Sequence, residues 1–266
     1  MSSYGSSFSF DGVSCEEYGL MLYDFDNTTQ GNSKFASVDI SEDRVYQRPR
    51  SLFYGTTYKE PLEFKLVFGA DEYAAEQRDP IDRQDMEVIG SWLTGHNSYK
   101  WLHIDQPDMD GIRYRCIITD LEVLEIGFDK WAFECTVHCD SPFAYTLPQS
   151  FSYQVDGTMD VVLHSRSSSN LPYFPTVTVQ LQGSGDVEIV NHSVQDDRFA
   201  MSGIPQISDT LYIDGETGVI RAETGLNMYP YFNFKFPRLV RGDNHLTISG
   251  NCIVTYTCEF PVNVGG

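Results

Sequence analysis

Basic residues are scarce in this sequence. Its 266 residues include 18 Lys plus Arg against 38 Asp plus Glu, giving a formal charge of −20 and a pI near 4.4. Nucleic acid and anionic membrane surfaces repel such a chain, so neither is expected as a partner. Long apolar runs are lacking as well: no stretch approaches the roughly 18–20 residues that a membrane span needs. The opening MSSYGSSFSF is polar, and the first basic residue is Lys34. A secretory signal needs an early positive region followed by an apolar run, so folding in a cytosol is expected. Six cysteines in a chain of this length suit reduced thiols better than a disulfide framework.

Catalytic patterns are also missing. The six histidines form no HExxH-type ligand pair, and neither a GxSxG elbow nor a P-loop is present. Gly183-Ser184-Gly185 is a turn between Leu181 and Val187 rather than a phosphate cradle. Asp105, Asp108 and Asp110 crowd the segment IDQPDMDG, but the Gly and later Glu of a calcium loop are not at the required offsets. An acidic turn around Pro107 and Gly111 is the plain reading. Cys135, His138 and Cys139 have a metal-like spacing. Strand alternation, however, puts Trp131, Phe133, Cys135, Val137 and Cys139 on one face and turns His138 with Glu134 to the other. Cys252 and Cys258 likewise share a face with Val254, Tyr256 and Phe260. No catalytic residue, metal ligand or cofactor is therefore expected, and no enzymatic activity.

What the sequence does have is alternation and aromatic residues, 14% of the chain. Leu62, Phe64, Leu66 and Phe68 share one strand face, with Glu63 and Lys65 on the other. Further strands are predicted near Arg113–Ile118, Leu121–Ile126, Val177–Leu181, Val187–Val190 and Leu246–Thr257. A hairpin is predicted over Tyr212–Ile220, around the turn formers of Asp-Gly-Glu-Thr-Gly. One helix is predicted over about 80–94, with Asp79 as N-cap, Pro80 in the first position and Thr94-Gly95 as the stop. Met86, Ile89 and Leu93 form its apolar stripe, broadened by Val88 and Trp92. Asp140-Ser141-Pro142 breaks the strand pattern, so two domains are expected, 1–145 and 146–266. The polar run His164–Asn170 is a loop early in the second. Most of the net negative charge falls in the first domain.

Residues Asp24–Tyr58 stand apart. They are polar with scattered apolar positions, yet Val38, Ile40 and Val45 have strand-like spacing, and Arg44, Arg48 and Arg50 cluster in a half-chain otherwise poor in cations. A polar two-stranded arm is marginal alone and needs another surface, from its own barrel or a neighbour. Arg suits such a contact because its planar fork grips a carboxylate with two hydrogen bonds. These six residues are the candidate inter-subunit site.

The order of several motifs is similar to that of siphophage distal tail proteins. SFSFDGVSCEEYGLML (Ser7–Leu22) resembles their start, as does RSLFYGTTYKEPLEFKLVFG (Arg50–Gly69) followed by a single helix. CIITDLEVLEI (Cys116–Ile126) and FECTVHCDSPFAY (Phe133–Tyr145) close the first half in the same manner. In the second half, LYIDGETGVIRAETGLN (Leu211–Asn227) precedes FKFPRLVRGDNHLTISGNCIVTY (Phe234–Tyr256). The resemblance implies a mainly β fold: an N-terminal split β-barrel with one helix and a long belt hairpin, then a C-terminal galectin-like β-sandwich. It implies a structural virion protein, six copies of which form a ring joining the tail tube to the tail tip or baseplate. The implied partners are the major tube protein, a tip or baseplate hub protein and the tape-measure protein, with assembly in the host cytoplasm. Some relatives carry inserted carbohydrate-binding domains, for which this chain has no room. Two other readings stay open at this point. One is a sugar-binding sandwich, suggested by aromatic runs such as Tyr229-Pro230-Tyr231-Phe232. The other is a sandwich glycan hydrolase built on the acids near Asp108.

Overall fold

The computed structural model describes residues 7–25, 36–70, 81–106, 109–126, 129–182, 186–195, 197–205 and 208–264. It divides into two compact units, one of Met1–Tyr145 with Asn263–Gly266 and one of Thr146–Val262. The first unit contains β1 (Ser7–Phe10), β2 (Val13–Ser14), β3 (Leu20–Phe25), β4 (Val38–Asp43), β5 (Leu52–Tyr58), β6 (Glu63–Ala70), α1 (Arg83–Thr94), β7 (Lys100–Asp105), β8 (Ile112–Ile126) and β9 (Asp129–Cys139). A short β10 (Ala144–Thr146) ends it.

The main sheet of this unit runs β2-β1-β7-β8-β9-β6-β3, with antiparallel neighbours. Strands β1 and β6 are four steps apart on that path, about 19 Å in a flat sheet. Yet the rings of Phe8 and Phe68 meet edge to face with centroids 5.1 Å apart. The sheet therefore curls on itself around a core that includes Phe10, Leu66, Leu102, Ile104, Phe133 and Val137. Strand β8 is continuous where two strands were expected. Between the two expected runs the register shifts at a bulge, with Ile118 opposite Val137 and Asp120 opposite Thr136.

Helix α1 packs Ile89, Trp92 and Leu93 into this core. The Trp92 indole N–H donates to the Phe10 carbonyl at 3.2 Å, and the ring stacks on Phe8. The helix starts later than the sequence suggested. Asp82 is the cap: its side chain accepts from the Asp85 amide at 2.8 Å, and Asp85 accepts in return from the Asp82 amide at 3.2 Å. Asp79 and Pro80 lie outside the described residues. Val88 also departs from expectation. It is 44% exposed and belongs to the outer face, not the buried stripe.

The second unit contains β11 (Gln149–Ser165), β12 (Thr176–Leu181), β13 (Val187–Asn191), β14 (Asp197–Met201), β15 (Thr210–Asp214), β16 (Val219–Ala222) and β17 (Gly242–Cys258). Two 17-residue strands, β11 and β17, pair along their whole length. The first half of β17 also pairs with β13 and the second half with β12. The long ribbon thus serves both layers of a sandwich and turns the corner at Gly157 and Gly250, which face each other in register. Both have positive φ, +88° and +140°. A Cβ on Gly250 would lie 2.8 Å from the Asp186 carbonyl oxygen. Between the layers lie Val177, Val179, Ile213, Phe199, Leu246, Val254 and Tyr256. The Tyr212–Ile220 hairpin forms as β15 and β16, its turn held by Asp214, which accepts from the Glu216 and Thr217 amides.

Candidate interface: an exposed arm on the first unit

Among the described residues, strands β4 and β5 pair only with each other, as a two-stranded sheet separate from the main one. The arm is anchored at its root. The Lys59 amide donates to the Ser37 carbonyl at 3.0 Å, Lys59 pairs with Asp39 at 2.9 Å, and the Tyr58 ring meets Phe143 edge to face at 4.8 Å. Beyond the root, every residue of β4 is exposed, as is most of β5.

Cross-strand pairing places Val38 opposite Tyr58, Ile40 opposite Thr56 and Glu42 opposite Phe53. Val38, Ile40, Phe53 and Tyr58 thus form an apolar stripe on one face. Tyr54 is the extra residue of a bulge between the Ser41–Gly55 and Glu42–Phe53 pairs. Residues 24 and 25, placed in the arm by the sequence reading, end β3 of the main sheet instead, and residues 26–35 lie outside the described residues.

The six expected contact residues separate into two groups. Val38 and Ile40 sit on β4. Arg44, Val45, Arg48 and Arg50 lie in the connection between the strands, at the tip, and all are exposed. Val45 is therefore not on the strand face with Val38 and Ile40. It belongs to a tight turn in which the Arg48 amide donates to its carbonyl at 3.1 Å and Gln47 takes a left-handed φ of +66°. Reading residues alone missed the larger apolar contribution. Tyr46 is 89% exposed, and Phe53 and Tyr54 are both above 60%. The signal was the run Leu52-Phe53-Tyr54 inside a polar stretch. Contiguous exposed apolar surface of this kind marks an interaction site.

The other candidates resolve into structure. Phe133, Cys135, Val137 and Cys139 are buried together, while on the opposite face His138 pairs with Glu63 at 3.2 Å and Glu134 pairs with Lys65. Burial pushes the Cys135 and Cys258 thiols up to about 12 and Cys252 up to about 11, far from a reactive thiolate. Among the described residues, no group of three or more His, Cys, Asp or Glu is placed to hold a metal ion, and no helix is long and apolar enough to cross a membrane. In the acidic turn, Asp105 accepts from the Ser7 hydroxyl at 3.2 Å and Asp110 is exposed. Pro107 and Asp108 lie outside the described residues, as do Gly183-Ser184-Gly185.

The Phe-Pro-Arg-Leu and Gly-Asp-Asn motifs of the second unit build a polar clasp. The Arg238 Nε–H donates to buried Asp197 at 3.0 Å. Asn244, fully buried, accepts from the Val240 amide and donates to the Val240 and Gly242 carbonyls. Asn191 donates to the Arg238 carbonyl and to the Asn244 side chain, both at 2.9 Å. Burial holds the Asp197 carboxyl above the ordinary carboxylate range, with Arg238 pulling it back down. Asp197 and Asn191 are residues that the motifs alone did not reveal.

Residues 3–141 match the family model described as phage tail protein N-terminal domain, and residues 143–258 match that described as phage tail C-terminal domain. No curated protein matches the chain. Among solved structures it resembles the distal tail (Dit) protein of phage SPP1, described as a paradigm of the hub adsorption apparatus in phages infecting Gram-positive bacteria. That similarity has a TM-score of 0.65 at 10% identity and covers 96% of this chain and 98% of the other. It also resembles chains of the phage p2 baseplate in its activated conformation. With strontium the TM-score is 0.55, the identity 8% and the coverage 95% and 97%; with calcium they are 0.54, 8%, 94% and 97%. The chain thus belongs to the phage tail protein family in both of its domains, has the distal tail protein fold, and is a structural part of a tail rather than an enzyme.

Proposed function

We propose that this tail protein forms a ring, six copies in all, that joins the tail tube to the tip or baseplate hub, and that the β4–β5 arm is the belt holding each copy to the next. The observation that carries this reading is the arm itself. Its root is fixed through Tyr58, its length is exposed, and Val38, Ile40 and Phe53 of its stripe are exposed together with the cationic tip. A hairpin of this size is marginal alone, so a neighbouring copy is the natural source of the missing contacts. Its partners along the tail are then the tube protein on one side and the hub on the other, with the tape-measure protein inside the growing tail. It would assemble in the host cytoplasm and remain in the virion at the tail tip. Six copies multiply a charge of −20 around a lumen, and acidic walls let a genome slide past instead of sticking.

Replacing Ile40–Thr56 by an Asn-Gly turn tests this. Asp39 and Thr57 are already paired in the hydrogen-bonded register that the Lys59–Ser37 bond sets, so a two-residue turn can close between them and keep the Tyr58–Phe143 contact. Negative-stain images of the purified wild-type chain should show rings. The shortened chain should keep its circular dichroism and run as a monomer. Rings of unchanged size from the shortened chain would remove the belt from the reading.

A further inference from the structure

Three of the chain's six histidines, His164, His192 and His245, share one sheet face of the second unit. They come from segments far apart in the chain, so their spacing in the sequence carries no metal-like signal. Register builds the patch. Along β17, Asp243, His245 and Thr247 face outward while Asn244 and Leu246 between them are buried. On one side, β11 sets His164 opposite Asp243, Val162 opposite His245 and Asp160 opposite Thr247. On the other side, β13 sets Val190 opposite Thr247, and the chain stays in line beyond it: the His192 amide donates to the His245 carbonyl at 2.9 Å. His192 and His245 are therefore direct cross-strand neighbours on one face, where Cβ atoms lie about 4.5–5.5 Å apart. Both are exposed, and both line a cavity of about 410 Å³ together with Asp160 and Val162.

Hydrogen bonds fix the first of these rings. The Thr247 hydroxyl donates its single proton to Asp160 at 2.7 Å. In its 2.8 Å contact with His192 Nε2 the imidazole is therefore the donor. This holds His192 in the Nε2–H tautomer and leaves a lone pair on Nδ1. Metal-binding histidines are prepared in this way: the other ring nitrogen donates toward a carboxylate, which orients the ring and makes the ligand nitrogen more basic. His164, diagonal to His245, is oriented by a carboxylate as well, with Nδ1 2.6 Å from Asp243.

We propose that His192 and His245 form a two-ligand site for a divalent transition metal of the zinc, nickel or copper class, with Thr247 and Asp160 as positioning residues. Imidazole donors suit these cations, whereas calcium and magnesium take oxygen. No set of three His, Cys, Asp or Glu is gathered among the described residues, so water completes the coordination. The bound cation ties the turn that follows β13 to β17. The site lies on the second unit and does not depend on the arm.

The full-length chain, stripped with a chelator and titrated with Zn²⁺ alone in a calorimeter, should bind one equivalent per chain. The native thiols are buried and do not compete in the folded protein. His192→Ala and His245→Ala should each abolish binding, with unchanged circular dichroism because both side chains are exposed. Asp160→Asn and Thr247→Val should weaken it about 10–100-fold. His138→Ala, which removes a histidine of the first unit paired with Glu63, should leave it unchanged. Excess Ca²⁺ should not displace the Zn²⁺. A wild-type chain that binds no Zn²⁺, or Zn²⁺ binding that survives in the His192→Ala, His245→Ala double variant, would overturn the site. Equal affinity in Asp160→Asn and wild type would overturn the positioning role.

Discussion

Asp197 shows how a single residue links the closing motifs to stability. Its carboxylate is buried and held by Arg238, whose own side chain is about one-third exposed. Because burial raises the folded carboxyl above its ordinary value, the folded state holds this proton more tightly than the unfolded chain. Stability therefore falls as pH rises from the ordinary carboxylate range through the folded value, and is flat above it. Arg238→Leu removes the compensating charge and should cost about 3 kcal/mol at pH 7, since breaking one partner of a buried pair strands the other. The gap in thermal midpoint from wild type should narrow on acidification toward pH 4, because a protonated Asp197 no longer needs the guanidinium. Asp197→Asn should abolish this narrowing. A gap in Arg238→Leu that is constant with pH would show that the arginine acts through packing alone. The thiols give a second test at this scale. All six are buried, so the native chain should not react with dithiobis(nitrobenzoic acid) on the minute timescale and should titrate fully once unfolded. Rapid labelling of the folded chain would contradict the burial.

At the scale of elements, the corner of the β11–β17 ribbon carries the sandwich. Gly157→Ala meets no atom within 4 Å and suffers only the strain of a positive φ, about 1–2 kcal/mol. Gly250→Ala adds a collision with the Asp186 backbone oxygen at 2.8 Å, which only backbone movement can relieve, and should cost at least about 3 kcal/mol. Chemical denaturation of the two variants checks the order; equal losses would mean that the corner relaxes freely. Strand β11 was missed by the sequence reading, although Phe151, Tyr153 and Val155 alternate with Ser150, Ser152 and Gln154 at its start. The bend at Gly157 and the exposed stretch from Asp156 to Asp160 interrupt that alternation before Val161 and Leu163 resume the buried face. The start of α1 was misplaced for a related reason. Asp79 and Asp82 are both good caps by type, and only the reciprocal bonds with Asp85 decide between them.

For the molecule as a whole, the arm contributes to assembly and hardly to the fold of its own chain. Its strands supply no buried residue to the core. The arm-replaced chain should therefore unfold within about 2 °C of the wild-type monomer, a shift of no more than about 1 kcal/mol for a chain of this size. A large loss of stability in the monomer would show that the arm folds back on its barrel, the alternative that its polar composition left open.

The alternation of apolar with polar residues in β6, β9 and β17 determined by itself which strand face is buried. It separated His138 from Cys135 and Cys139, and it set the mainly β class with one helix. Local rules suffice there because a strand's two faces follow from backbone geometry alone. The polar arm with clustered arginines was likewise visible as an oddity of composition. Tertiary structure alone decided that Val45 and the arginines occupy a tip and not a strand face, and that Phe53 joins Val38 and Ile40 across a bulge. It also decided that Val88 turns outward beside Tyr18, that Asp197 answers Arg238, and that two glycines 93 positions apart meet at one corner. Each of these depends on register between segments far apart in the chain. A shift of one residue in pairing reverses every face, and no local pattern of residues encodes that register.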